Sequence, residues 1–216
     1  MSTRHEVRKW FYEIKVAEAL KNLIKHGFDA IGLPDRSAAC SEILKRVPST
    51  KTVGFGGSMT VREIGLVSLL EKQGNILYDH WKQGLTQEES LRIRRAQQSS
   101  DVYITSANAI TLSGEILNID GACNRISAMG FGPKEVIILV GRNKIVQDVS
   151  AGIARIKNEA APLNARRLGL NLPCAKLGRC VECDSPERIC RGTLILERRP
   201  FMTNMLVIIV EEDLGF

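Results

Sequence analysis

The sequence predicts an α/β fold with a mostly parallel sheet flanked by helices, and three observations carry that expectation. Strand-like apolar runs alternate with helix-like periodic segments along most of the chain. Residues 135–140 (Glu-Val-Ile-Ile-Leu-Val) form the most strand-like run. A glycine-rich turn at 54–60 joins a strand candidate to a helix candidate, as a crossover between parallel strands requires.

Each element follows from local chemistry. Val7, Trp10, Phe11, Ile14, Ala17, Leu20 and Ile24 recur at helical spacing, and Gly27 supplies a stop, so 6–26 is one amphipathic helix. Residues 35–47 read as a second helix, stopped by Pro48, and 52–55 as a short strand. Ile64, Leu66, Val67, Leu69 and Leu70 predict a single helix over 61–73, followed by a strand at 75–78. Thr86 with Glu89 has the form of a capping box and opens the next helix. Strands are expected at 101–105, 114–119 and 135–140. A helix over 150–160 is expected to end at Pro162, and late strands fall at 194–196 and 205–210. The stretch 161–191 breaks the alternation and holds four of the six cysteines. The expected organisation is therefore one domain over 1–216, with 1–50 as a helical N-terminal part and 161–192 as a Cys-rich insertion.

Composition narrows the function classes. With 216 residues, 44% hydrophobic and 25% charged, the chain is not disordered, collagenous or of low complexity. No apolar run approaches the roughly 20 residues that span a bilayer, so no membrane role is expected. The first residues lack the apolar stretch of a signal peptide, which points to the cytoplasm, where clustered cysteines more often hold metal than form disulfides. A net charge of +6 favours anionic partners. Aromatic residues at 5% are too few for an evident base-stacking surface, and no nucleic-acid partner is expected.

Two polar segments can carry chemistry. In Gly54-Phe55-Gly56-Gly57-Ser58-Met59-Thr60, glycines permit close approach of a ligand to backbone, and Ser58 and Thr60 add hydroxyl donors. The segment is neither a Walker loop, lacking Lys before Ser58, nor the dinucleotide fingerprint. It reads either as an anion loop or as a tight turn with Ser58 or Thr60 as N-cap. The second segment runs from Ser106 through Asn108 to Asn118, Asp120, Asn124 and Arg125. Asp120 is a candidate general base and Arg125 a candidate carboxylate clamp. The competing reading is a hairpin in which Asn118 and Asp120 make the turn and Arg125 pairs with Asp120. His80, at a strand's end, reads either as a site residue or, in preference, as a turn or surface residue, and Arg92, Arg94 and Arg95 are expected on a solvated helix face.

Five motifs in series, GFGGSMT (54–60), SANAI (106–110), NIDGACNR (118–125), FGPK (131–134) and GRNKIV (141–146), resemble the lactate-utilisation (LUD) domain family. The resemblance implies a Rossmann-like fold similar to the NagB/RpiA/CoA-transferase superfamily. In those proteins a glycine-rich loop binds an anion and nearby carboxylates do acid–base work. Carried over, Gly56, Gly57, Ser58 and Thr60 are the anion loop, while Asn108, Asp120, Asn124, Arg125 and Lys144 line the pocket. The implied ligand is a small carboxylate or phosphorylated compound. Whether a reaction follows is left open, because many members have none assigned and no flavin or nicotinamide fingerprint is visible. Cys123 departs from the family's small residue, usually Gly, and reads as a packed thiol in preference to a nucleophile.

The tail adds Cys174-x5-Cys180-x2-Cys183-x6-Cys190. The Cys180/Cys183 pair is a chelating hook, with Cys174 and Cys190 able to complete a tetrahedron. The spacing fits an iron–sulfur cluster, zinc, or no metal at all. With the resemblance it suggests, as an alternative, an iron–sulfur electron-transfer or scaffold subunit with redox protein partners. A homo-oligomer is compatible with either function.

Overall fold

The alternation of apolar runs and amphipathic segments assembles into a parallel sheet sandwiched by helices. The computed structural model describes residues 2–216, the side chain of His5 excepted. The chain opens with α1 (Arg4–Lys25), β1 (Asp29–Leu33), α2 (Arg36–Arg46) and β2 (Thr52–Phe55). Next come α3 (Met59–Glu63), α4 (Leu66–Gln73), β3 (Ile76–Tyr78), α5 (Gln87–Gln97) and β4 (Val102–Thr105). The middle holds β5 (Ala109–Thr111), β6 (Ile116–Asp120), α6 (Asn124–Gly130), β7 (Glu135–Gly141) and β8 (Ile145–Val146). The rest comprises α7 (Val149–Arg155), α8 (Ala161–Arg167), α9 (Pro173–Leu177), β9 (Gly192–Leu196) and β10 (Asn204–Val210).

Six strands form the central sheet in the order β1-β10-β7-β4-β2-β3, every pair parallel. Strands covered on both faces must be apolar on both, which explains the unbroken runs of β7 and β10. Val136, Ile138, Val140, Met205, Val207 and Ile209 face a layer built from α1 and α6. Their neighbours Ile137, Leu139, Leu206, Ile208 and Val210 face α2, α3 and α4. The alternation is the two-residue period of a strand applied to two hydrophobic layers.

Four further strands, β8-β5-β6-β9, make a smaller mixed sheet that sequence reading did not anticipate as a layer. Ile110, Ile116 and Leu196 join the α1/α6 layer, while Ala109 and Leu117 pack on the other side against Ile156. Its longest pairing, Ile116 with Leu196, spans a large sequence separation and has no local signature.

Several boundaries differ from the sequence-based expectations for physical reasons. The helix expected over 61–73 is two helices, because Gly65 takes φ +72°, a left-handed conformation that ends α3. Residues 1–50 are not wholly helical: β1 lies there and forms one edge of the main sheet. Gly32 in β1 lies close under α1, where a Cβ would stand 3.0 Å from Leu20 Cδ1. Asn118 and Asp120 are strand residues of β6, not turn residues. Pro162 does not end the helix it follows. A π-turn (Ile156–Ala160) links α7 to α8, and the looser ladder accommodates a residue with no N–H to donate. The Cys-rich stretch therefore begins only after α8, where Ala165, Leu172 and Cys174 form a small cluster of their own.

Candidate functional site

Strand order fixes where a site can form. The chain runs outward from β2 to β3 and then returns to β4 on the other side of β2. At such a reversal the loops leaving the carboxyl ends diverge and open a crevice. Here those loops deliver Gly56 and Gly57 after β2, His80 and Trp81 after β3, Ser106 to Asn108 after β4, and Lys144 after β7. The crevice is a cavity of about 540 Å³, the size of a metabolite pocket.

The glycine loop is shaped by crowding. Gly56 donates its N–H to the Ile104 carbonyl at 3.1 Å and lies against Thr105 and the buried, unpartnered hydroxyl of Tyr103. Gly57 takes φ +57° beneath His80 and Trp81. Ser58 caps α3 by accepting the Val61 N–H at 3.3 Å, as the turn reading requires, yet it also lines the cavity. Thr60 stands just behind the lining and receives the Lys144 ammonium at 2.8 Å.

Lys144 dominates the electrostatics. It is 4% exposed, and its Nζ donates to Thr60 and, at 3.1 Å, to Ser106. It forms no ion pair with a carboxylate among the described residues; Glu63 and Glu159 act on it only from a distance. Burial, followed by Arg155 and Arg125, pulls its pKa down to about 7.

Arg125 and Asp120 face the same cavity and hold each other. Arg125 Nε donates to Asp120 Oδ1 at 2.8 Å, and its Nη2 donates to Asn108 Oδ1 and the Ile119 carbonyl, both at 3.1 Å. The Ile126 N–H donates to the second Asp120 oxygen at 3.0 Å. Asp120 therefore fixes Arg125 and the start of α6, with both carboxylate oxygens engaged. Asn108 also accepts from the Ile119 N–H at 3.0 Å, locking the β4 loop to β6. Asn124, the first residue of α6, completes that side of the cavity.

The structure thus gathers Gly56, Gly57, Ser58, Asn108, Asp120, Asn124, Arg125 and Lys144 around one space. It also adds groups that the sequence did not assign to the site, His80 among them from the turn where it was expected. His80 is half-buried, and the Gln97 side-chain amide donates to the Tyr78 carbonyl and to His80 Nδ1, both at 2.9 Å. That leaves the imidazole proton on Nε2, which faces Gly57. Burial, with Arg94 second, lowers the His80 pKa to about 4, so the ring is a neutral donor at pH 7. Arg94 does not sit on a solvated face: it is half-buried at the cavity, and burial lowers its pKa. The Arg62 and Arg167 guanidiniums lie 5.3 and 4.6 Å from the Trp81 ring centroid. The far wall is the segment 186–191. Arg94, Arg125, Arg167, Arg188, Arg191 and Lys144 outnumber the side-chain carboxylates of the lining among the described residues, Asp120 and Glu187, so the cavity is electropositive. His80 at a strand's carboxyl end was the only signal of these that sequence offered.

Cys123 adopts φ +60°, which explains why a small residue such as Gly suits this turn. Its Sγ packs against Gly192, where a Cβ would stand 2.5 Å from it. Cys123→Gly should relieve about 1 kcal/mol of left-handed strain and raise the midpoint of thermal unfolding by a few degrees, measurable by calorimetry.

The four tail cysteines line a second, small cavity beside the first. All six cysteines are free thiols. Burial raises the Cys174 and Cys190 thiols, with neighbouring thiols adding to the effect. Among the described residues, no three His, Cys, Asp or Glu side chains are gathered closely enough to hold a metal ion as they stand. Among the same residues no helix is long and apolar enough to cross a membrane.

Comparison with known proteins bears on the whole chain. No curated protein matches it. A crystal structure of a DUF162 family protein from Deinococcus radiodurans superposes with a TM-score of 0.54 at 14% identity, over 92% of this chain and 98% of that one. That is a likeness of fold. The family model of the LUD domain matches residues 16–210, which takes in the main sheet, the glycine loop and all of the cavity lining but Phe216, and so the chain belongs to the LUD domain family.

Proposed function

We propose that this protein binds a small anion, a carboxylate or a phosphorylated compound, in the cavity between the glycine loop and Arg125. The observation that supports this reading most strongly is Lys144, a buried ammonium with hydroxyl partners and no carboxylate ion pair among the described residues. An unpaired buried cation costs several kcal/mol unless something completes it. A bound anion does so, and its other oxygens meet Arg125, Ser58 and the Nε2 proton of His80. Asp120 acts as a positioning residue, holding the Arg125 guanidinium toward the cavity.

A thermal-shift panel of inorganic phosphate, a sugar phosphate and glycolate tests this. A ligand at about ten times its Kd adds about 1.4 kcal/mol, or about 3–6 °C for a chain of this size. Ser58→Ala combined with Arg125→Ala should remove the shift. A melting curve unmoved by every anion would refute the proposal.

A further inference from the structure

The wall 186–191 that closes the anion cavity on one side borders a smaller cavity on the other. That space is about 20 Å³, room for about one water molecule, and Cys174, Cys180, Cys183 and Cys190 all line it. They arrive from separate pieces of local structure. Cys174 is in α9, anchored in the cluster with Ala165 and Leu172. Cys180 and Cys183 flank a tight turn in which Glu182 takes φ +49°, an unusual conformation for a residue with a side chain. Here the Glu182 N–H donates toward the Cys180 sulfur at 3.4 Å, and the Cys180 sulfur lies 3.8 Å from the Glu182 carboxylate. Arg188 donates to the Cys183 carbonyl at 3.0 Å and the Cys190 carbonyl at 2.8 Å, tying the last two cysteines together. Arg188 also lines both cavities.

Four free thiols around a void of one-atom size, with a backbone donor already directed at one sulfur, suit a soft cation. Cys180, Cys183 and Cys190 are half-exposed on loops, and rotation about each Cα–Cβ bond swings a sulfur across so small a space. The volume suits one ion; an iron–sulfur cluster with its sulfides needs several times as much. We infer that Cys174, Cys180, Cys183 and Cys190 close on a single thiophilic divalent cation of the zinc type, and that this ion fixes the 186–191 wall of the anion cavity. On binding, each thiol loses its proton to solvent and each sulfur donates a lone pair, with no change of oxidation state. The second half of the inference rests on the anion-binding reading; the first stands without it.

The test uses the full chain purified without chelators, with elemental analysis, acid-labile sulfide and thiol titration. The expected result is about one zinc per chain, no sulfide, and release of the metal when a mercurial blocks the thiols. Cobalt exchanged into the site should show thiolate charge-transfer and tetrahedral ligand-field bands. Cys180→Ser and Cys183→Ser should lose most of the metal, while Cys40→Ala, far from the cavity under α2, should keep it. Stripping the metal from the unmutated protein should speed hydrogen exchange in 186–191 and weaken phosphate binding by about tenfold or more, on the scale of lost metal-site support. Protein that takes up neither zinc nor cobalt and exposes every tail thiol to titration overturns the site. Iron with sulfide overturns the single ion in favour of a cluster. Unchanged exchange in 186–191 after stripping overturns the coupling. If phosphate binds neither form, the anion reading falls while the metal count still decides the site.

Discussion

Lys144→Met is expected to stabilise the empty protein and abolish anion binding at the same time. The native ammonium is buried with two hydroxyls and no carboxylate partner, so folding must desolvate it without full compensation. Methionine fills a similar volume without that cost. The pH dependence separates this from a packing effect. Lys144 has a folded pKa of about 7, below its unfolded value of about 10.4. Between those values the unfolded chain binds the extra proton, so stability rises with pH across that window. The penalty is full below about pH 7 and fades toward about pH 10. Each unit is about 1.4 kcal/mol, so the variant's advantage amounts to several kcal/mol in acid and shrinks steadily on the alkaline side. Denaturant melts of both proteins at several pH values read this directly. A variant less stable than the native chain at about pH 6 would contradict the buried-cation argument.

The two loop glycines should fail in different ways. A methyl on Gly56 would overlap Thr105 Oγ1 and stand 2.7 Å from the Tyr103 hydroxyl, both buried side chains of β4. Gly56→Ala therefore forces β2 and β4 apart and should cost about 1–3 kcal/mol of stability. At Gly57 the backbone has φ +57° and a methyl would meet His80 Nε2 and Trp81 Nε1 at 3.1 Å. Gly57→Ala should cost about 1 kcal/mol in backbone strain. Its larger effect should be on binding, because it displaces the imidazole donor from the loop. Parallel calorimetric melts and phosphate titrations distinguish the two; equal losses of stability in both variants would contradict this division.

How much of this was legible in the sequence follows from where each signal resides. The strands β2, β7 and β10 are local apolar runs, and the capping box at Thr86 forms as written, with the Glu89 N–H donated to Thr86 Oγ1 at 3.2 Å. The site residues carried by the five motifs, Thr60 excepted, also line one cavity. The second sheet was not legible, because β5 and β8 have three and two residues and their register depends on distant partners. Pro162 misled because a proline's local rule holds for an α-helical ladder and the chain uses a π-turn instead. Arg94 resembled a solvated charge run, since three arginines in four positions do not reveal which one faces inward. Arg155 was likewise invisible: its side chain donates to the Asn108 carbonyl at 2.7 Å and the Asn143 carbonyl at 3.3 Å, bracing the loops that carry Asn108 and Lys144. Such groups act across the fold and leave no spacing to read.

The most direct test of the central claim is the proton balance of anion binding. Isothermal titration with sulfate, which does not itself titrate near neutrality, in buffers of different ionisation enthalpy reports protons taken up per anion bound. With Lys144 half-protonated near pH 7, a bound dianion should raise its pKa, drawing a fraction of a proton from solvent. Affinity should fall as pH rises from about 7 to 9, and both effects should vanish in Lys144→Met. Binding with no proton uptake, or binding that survives in Lys144→Met, would contradict the assignment of Lys144 as the anion's partner.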